Sequence, residues 1–143
     1  LSTALSAPPE LPEAAAGTLF GRYQLLERIA RGGMGVVFKA RELGLNRTVA
    51  LKMVLGGEFA DHEERRRFHS EAELAAGLDH PNIVPIYDVG EHAGAPYFTM
   101  RFMEGGSLAE HLPRLRADPA QSCRLLSLLA RAVHNGHQRY RGE

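Results

Sequence analysis

Thr48-Val49-Ala50-Leu51-Lys52-Met53-Val54 sets a lysine inside an otherwise apolar strand, and that strand opens 13 positions after the last glycine of Gly32-Gly33-Met34-Gly35. An ammonium among aliphatic side chains has to find an anionic partner, because burying an unpaired charge is costly. Glycines ahead of it let a backbone close over an anion, so the two features together point to phosphate binding. In an alternating strand Ala50, Lys52 and Val54 share one face while Val49, Leu51 and Met53 share the other. Lysine beside alanine and valine suggests a pocket wall; a solvent-facing edge-strand lysine is the alternative.

Upstream, Tyr23 to Ile29 and Gly35 to Arg41 read as strands, the second alternating Val37 and Lys39 against Val36, Phe38 and Ala40. The glycines form the turn between them, Leu43-Gly44-Leu45-Asn46 forms the next, and Arg47 to Val54 completes an antiparallel meander. Asp61, with Glu64 three residues on, makes a capping-box-like start for a helix to about Leu78, which Asp79-His80-Pro81-Asn82 stops. Phe68, Leu74, Ala75 and Leu78 fall on one face of that helix and Glu71 falls with them. A carboxylate in apolar company wants a cation, although Arg65 to Arg67 offer it local partners as well. Ile83 to Glu91 and Pro96 to Phe102 then read as two more strands around a turn containing Gly94. Beyond Glu104-Gly105-Gly106 come a short helix from Ser107 to about Leu112 and a longer one from about Gln121 to Gln138. The longer helix has a wide apolar face that nothing later in the chain covers.

The 143 residues are 44% hydrophobic and 24% charged, the composition of a globular chain with a real core. Lys plus Arg equals Asp plus Glu at 17 each, so no overall field draws the chain to nucleic acid or to an anionic membrane. No apolar run reaches the roughly 20 residues of a membrane helix. A single cysteine, Cys123, supplies neither an internal bridge nor metal-ligand spacing, so a reducing, cytoplasmic setting is expected. His134 and His137 lack a third ligand, and no metal site is read from the histidines. Residues 1–19, with Pro8, Pro9, Pro12 and Ala14-Ala15-Ala16-Gly17, read as a flexible leader.

Taken alone, the glycine cluster is also compatible with a plain hairpin turn. A dinucleotide-binding turn requires a helix after the glycines, and the strand-like Val36 to Arg41 disfavours it. Glycine loop, strand lysine and inward helix glutamate are more specific together than any one of them. In this combination the chain resembles the N-terminal lobe of protein kinases, most closely the bacterial serine/threonine kinases of the eukaryotic-like (Hanks) type. Ile29 to Ala40 looks like their nucleotide-covering loop and Val49-Ala50-Leu51-Lys52 like the V-A-I-K strand. Phe68-His69-Ser70-Glu71-Ala72 looks like the helix-C segment and His80-Pro81-Asn82-Ile83-Val84 like the H-P-N-I-V that follows it. The resemblance runs from about residue 20 to residue 139.

It implies an α+β fold: a kinase N-lobe over 20–103, with a five-stranded antiparallel sheet and one αC-type helix, then a hinge and the first helices of a truncated C-lobe over 104–143. It also implies ATP as the cofactor, held by Ile29, Ala30, Arg31, Gly32, Gly33, Met34, Gly35, Val37, Ala50, Lys52, Met100, Arg101, Met103 and Ser107. Lys52 holds the alpha and beta phosphates while paired to Glu71, these two being the catalytic-class residues. Ile29, Val37 and Ala50 sandwich the adenine, Met100 guards the back of the pocket, and the main chain at Arg101 and Met103 meets the adenine edge. Ser107 matches a position near the ribose. Chemistry alone reads Met100 and Met103 as ordinary core and linker residues.

Ala30 stands where the family has its first glycine, which is tolerable if the backbone there keeps negative φ. After Arg139 the chain departs from the approach to H-R-D, and it carries neither an H-R-D nor a D-F-G triplet. The ligands for Mg, expected in a complete kinase, are therefore absent from this chain. The reading is the ATP-binding portion of a serine/threonine protein kinase that acts on a protein substrate in its complete form. A non-catalytic, kinase-like nucleotide-binding or protein-interaction fragment is the alternative.

Overall fold

The computed structural model describes residues 17–32, 35–53 and 62–140, the side chains at 62–65, 67, 71, 74 and 140 excepted. Strands β1 (Leu19–Phe20), β2 (Tyr23–Gly32), β3 (Gly35–Glu42), β4 (Arg47–Met53), β5 (Ile86–His92) and β6 (Ala95–Arg101) form one sheet in the order β1-β2-β3-β4-β6-β5. Every neighbouring pair is antiparallel. Helix α1 (His62–Ala76) packs on β5 and β6, and α2 (Leu108–Ala117) packs against α3 (Pro119–Tyr140). The five strands expected from alternation are β2 to β6, and β1 adds a two-residue edge strand. Most of the expected leader, the Asp61 cap and the glycine-loop tip at Gly33 and Met34 lie outside the described residues.

Alternation in β3 and β4 builds the core. Val36, Phe38 and Ala40 stand directly across from Met53, Leu51 and Val49, and all six are buried. Tyr23 and Leu25 of β2 extend the same layer, with Phe20, Tyr87 and Tyr97 packed against it. Leu51 and Val49 are fully buried, so a one-residue slip of β4 would exchange them for Ala50 and Lys52. Pairing of β2 with β3 shifts register between Leu25 and Glu27 and again between Arg28 and Ala30, irregularities that increase the local twist.

The β5–β6 connection is a two-residue turn whose central residues, Ala93 and Gly94, have φ of 50° and 78°. Positive φ at both positions matches the twist of the flanking strands, as in a type I′ hairpin. Within that hairpin Gly90 faces Tyr97, and a Cβ at Gly90 would come within 3.0 Å of the phenol oxygen and 3.1 Å of the ring. The missing side chain is what lets the ring lie against β5.

A polar cluster ties separate parts of the sheet together. Glu42 is buried and accepts from Arg47 at 2.7 Å and 3.2 Å, while Arg22 approaches it at 3.5 Å. The Arg47 guanidinium also lies 3.7 Å from the centre of the Tyr87 ring. Arg22 reaches Asp88 at 3.0 Å, and the hydroxyls of Tyr23 and Tyr97 both donate to the same Asp88 oxygen at 3.0 Å. These bonds join β2, the β3–β4 turn and the β5–β6 hairpin.

Pro113 does not end α2, which continues four residues past it to Ala117. The proline removes the bond its own amide would make to the Ala109 carbonyl, and its ring crowds that carbonyl. Helix α3 starts at Pro119, a residue suited to a first helical position because its missing donor is not needed there. Along α3 Ala132 is buried, while Leu126, Leu128, Leu129 and Val133 are exposed.

Burial, and then the bond to Asp88, push the Tyr97 phenol up to about 12. Above the ordinary tyrosine value of about 10 the unfolded chain loses this proton while the folded chain keeps it, so stability falls as pH rises through that window. Tyr23 is shifted in the same direction by burial first, so Tyr97→Phe should make the alkaline decline shallower without removing it. Melting midpoints of both proteins across roughly pH 9 to 11 check this; parallel declines would refute it.

Candidate functional site

The face of the sheet opposite the core is set by the same alternation. Lys52 of β4 stands between Val37 of β3 and Phe98 of β6, and the neighbouring row is Lys39, Ala50 and Met100. Ala50 is buried, while Val37, Lys52, Phe98 and Met100 are half-buried. The Lys52 ammonium lies 5.7 Å from the centre of the Phe98 ring, its one partner among the described residues. An aromatic face within about 6 Å attracts a cation but leaves its hydrogen-bond donors unused.

Helix α1 packs on the β5–β6 part of this face. Phe68 stacks on Phe98 with centroids 5.4 Å apart and rings inclined at 28°. Ala72, four residues on, is buried, and Ala75 is half-buried. Glu71 belongs to the same turn of helix, three residues after Phe68, and its side chain lies outside the described residues. The helix is thus on the Lys52 side of the sheet, as the reading of Lys52 with Glu71 requires.

At the far end of β2, Gly32 pairs with Gly35 across the hairpin and Ala30 pairs with Val37. Ala30 is not among the residues with positive φ, so alanine stands there without backbone strain. Ile29 is 47% exposed, and Ala30, Arg31 and Gly32 are exposed with it. A Cβ at Gly32 would meet nothing within 4 Å, so packing among the described residues does not require this glycine.

After β6 the chain becomes a linker. The Arg101 amide donates to the Pro85 carbonyl at 3.1 Å. Met103 is 57% exposed, and its main chain has no hydrogen-bond partner among the described residues. Ser107 caps α2: its amide and hydroxyl reach the same Glu110 oxygen at 3.0 Å and 2.7 Å. These bonds hold the Glu110 carboxyl below the usual range. Glu110 was not singled out from the sequence, although Ser107-Leu108-Ala109-Glu110 is the S-x-x-E capping pattern. Of the sequence-derived site residues, Val37, Ala50, Lys52 and Met100 therefore share one face, Ile29 to Gly32 and Gly35 flank the hairpin tip, and Arg101 and Met103 bracket the linker. Ser107 is committed to a cap. Among the described residues no group of three or more His, Cys, Asp or Glu side chains is arranged to hold a metal ion.

Residues 23–140 match the family described as Protein kinase domain. The chain belongs to this family. Among its kinase relatives, serine/threonine-protein kinase PknJ of Mycobacterium tuberculosis is 36% identical over 126 residues, covering 88% of this chain and 21% of PknJ. Serine/threonine-protein kinase PrkC of Bacillus subtilis is 39% identical over 119 residues, covering 82% of this chain and 18% of PrkC. The crystal structure of the M. tuberculosis PknI kinase domain superposes with a TM-score of 0.71 at 31% identity, covering 87% of this chain and 51% of that one. The chain spans about a fifth of the length of these curated kinases and about half of the PknI kinase domain. The kinase fold thus agrees with the α+β reading: an antiparallel sheet carrying one helix, followed by the first helices of a second lobe.

The Phe68–Phe98 stack is the contact that seats α1 on the Lys52 face. Phe68→Ala should cost about 2 kcal/mol, below the ~3–5 kcal/mol of a fully buried phenylalanine because Phe68 is half-buried. Amide exchange in α1 should rise more than in β3 or β4. Unchanged exchange in α1 would show that other contacts hold the helix.

Proposed function

We propose that this chain is the ATP-binding part of a serine/threonine protein kinase, with residues 20–103 holding the nucleotide and 104–143 forming the linker and the start of the second lobe. The observation that carries the reading is the half-buried Lys52 beside Val37 and Ala50, on the face where α1 packs, with no anionic partner among the described side chains. In the bound state Lys52 meets the alpha and beta phosphates, and Glu71 orients the lysine. The main chain of Gly32 to Gly35 covers the phosphates.

The exposed Ile29 and the side chains of Val37 and Ala50 supply apolar surface for the adenine, with Met100 behind it. The partner-free main chain of Met103 suits the edge of a base. Because the Arg101 amide is occupied by Pro85, the carbonyl is the group that Arg101 offers. Ser107 serves the ribose side through its cap on Glu110 rather than as a free hydroxyl. The exposed Arg31 adds positive charge near the phosphates.

In the complete enzyme ATP supplies a gamma phosphoryl group to a Ser or Thr hydroxyl of a protein substrate, in a cytoplasmic setting. Among the described residues no helix is long and apolar enough to cross a membrane. No residue of this chain is assigned to magnesium or to the acceptance of the substrate proton, because the chain has no H-R-D or D-F-G triplet.

Calorimetric titration with ATP, with and without Mg, tests the binding. Wild type should bind and Lys52→Ala should weaken binding by roughly 10- to 100-fold, the scale of charge-assisted contacts of ~1.5–3 kcal/mol. Wild type that binds in neither condition removes the reading. The 143-residue chain, incubated with ATP and a generic protein substrate, should transfer no phosphate. Transfer that depends on Lys52 would mean that a catalytic base lies within residues 1–143.

A further inference from the structure

The linker after β6 carries the main chain offered to the adenine, and the described contacts that hold it are few. Its last backbone bond to the sheet side is that from Arg101 to Pro85. A side-chain contact follows at the next residue. The Lys39 ammonium lies 4.8 Å from the centre of the Phe102 ring, well within the range in which an aromatic face attracts a cation.

Lys39 belongs to β3, where it alternates with the buried Phe38 and Ala40, so it stands on the Lys52 face. Its ladder partners are Glu27 on one side and Ala50 on the other, and Ala50 in turn faces Met100. Phe102 follows Met100 by two residues, so the lysine of β3 and the ring after β6 come together from either side of β4. A carboxylate directly opposite, Glu27, forms no ion pair with Lys39. Both Lys39 and Phe102 are half-buried, which strengthens a cation–ring contact relative to one in open water.

We infer that Lys39 is a positioning residue for nucleotide binding, clamping the linker through the Phe102 ring so that the main chain at Arg101 and Met103 is held against the adenine. The inference rests on the nucleotide reading above. Lys39 acts through Phe102, and no contact with the nucleotide is assigned to it.

Three variants and two measurements test it. Lys39→Met keeps the length of the stem without the charge, Lys39→Arg keeps a cation over the ring, and Phe102→Leu removes the ring. Amide exchange by mass spectrometry reads the linker at residues 102–104, and calorimetry with MgATP reads affinity. Lys39→Met and Phe102→Leu should speed exchange in the linker and weaken ATP binding about three-fold, the scale of a half-exposed cation–π contact. Exchange in β3 and β4 should stay at the wild-type level, which reports an intact fold. Lys39→Arg should restore both readouts.

Wild-type exchange and affinity in Lys39→Met would overturn the inference, as would Lys39→Arg behaving like Lys39→Met. A flat MgATP titration of the wild type would overturn the nucleotide reading and this inference with it. Wild-type binding with unaffected variants removes the clamp alone.

Discussion

Neighbouring residues of β4 carry opposite obligations. Leu51 is wholly buried in the layer formed with Phe38, and Lys52 stands on the other face between Val37 and Phe98. The pleat makes these two facts one constraint, since any shift of register that freed the lysine would expose the leucine. Core packing therefore holds the ammonium on a surface where it would otherwise prefer open water. The energy that buries the core and the geometry that presents the charge come from the same strand pairing.

The opposite side of the sheet is tied by charge and phenol rather than by apolar packing alone. Glu42 is buried between two arginines, and Asp88 gathers Arg22, Tyr23 and Tyr97 around one oxygen. Removing one partner from such a set leaves another desolvated, so the cluster acts as a unit. It spans residues far apart in the chain and holds the β5–β6 hairpin to the β2 entry. That hairpin also carries Phe98, on which α1 rests. The two faces are thus connected through β6.

Local periodicity made the strands and the first helix legible. Alternation of Val36 to Ala40 and of Val49 to Met53 assigns faces without any knowledge of partners, and helical spacing puts Glu71 in the same turn as Phe68 and Ala72. The two-residue strand β1 has no period to read. The extension of α2 past Pro113 ran against a proline rule, because a single missing bond was outweighed by a helix already begun and capped at Ser107. The cap is written in the sequence as an S-x-x-E pattern, at a position to which the family resemblance gives a different role. What could not be read at all depends on register between distant strands. The Asp88 cluster and the reach of Lys39 to Phe102 exist only once β2 to β6 are laid side by side.

Gly90 and Tyr97 share one space, the absent side chain of the first being filled by the ring of the second. Since that ring also places its hydroxyl on Asp88, an alanine at position 90 would press on the ring that makes this bond. A shift of a few tenths of an ångström in the ring would be felt at the carboxylate that Arg22 and Tyr23 share with it. An empty position on one strand of the hairpin is thereby linked to the charge cluster at the strand's far neighbour, β2.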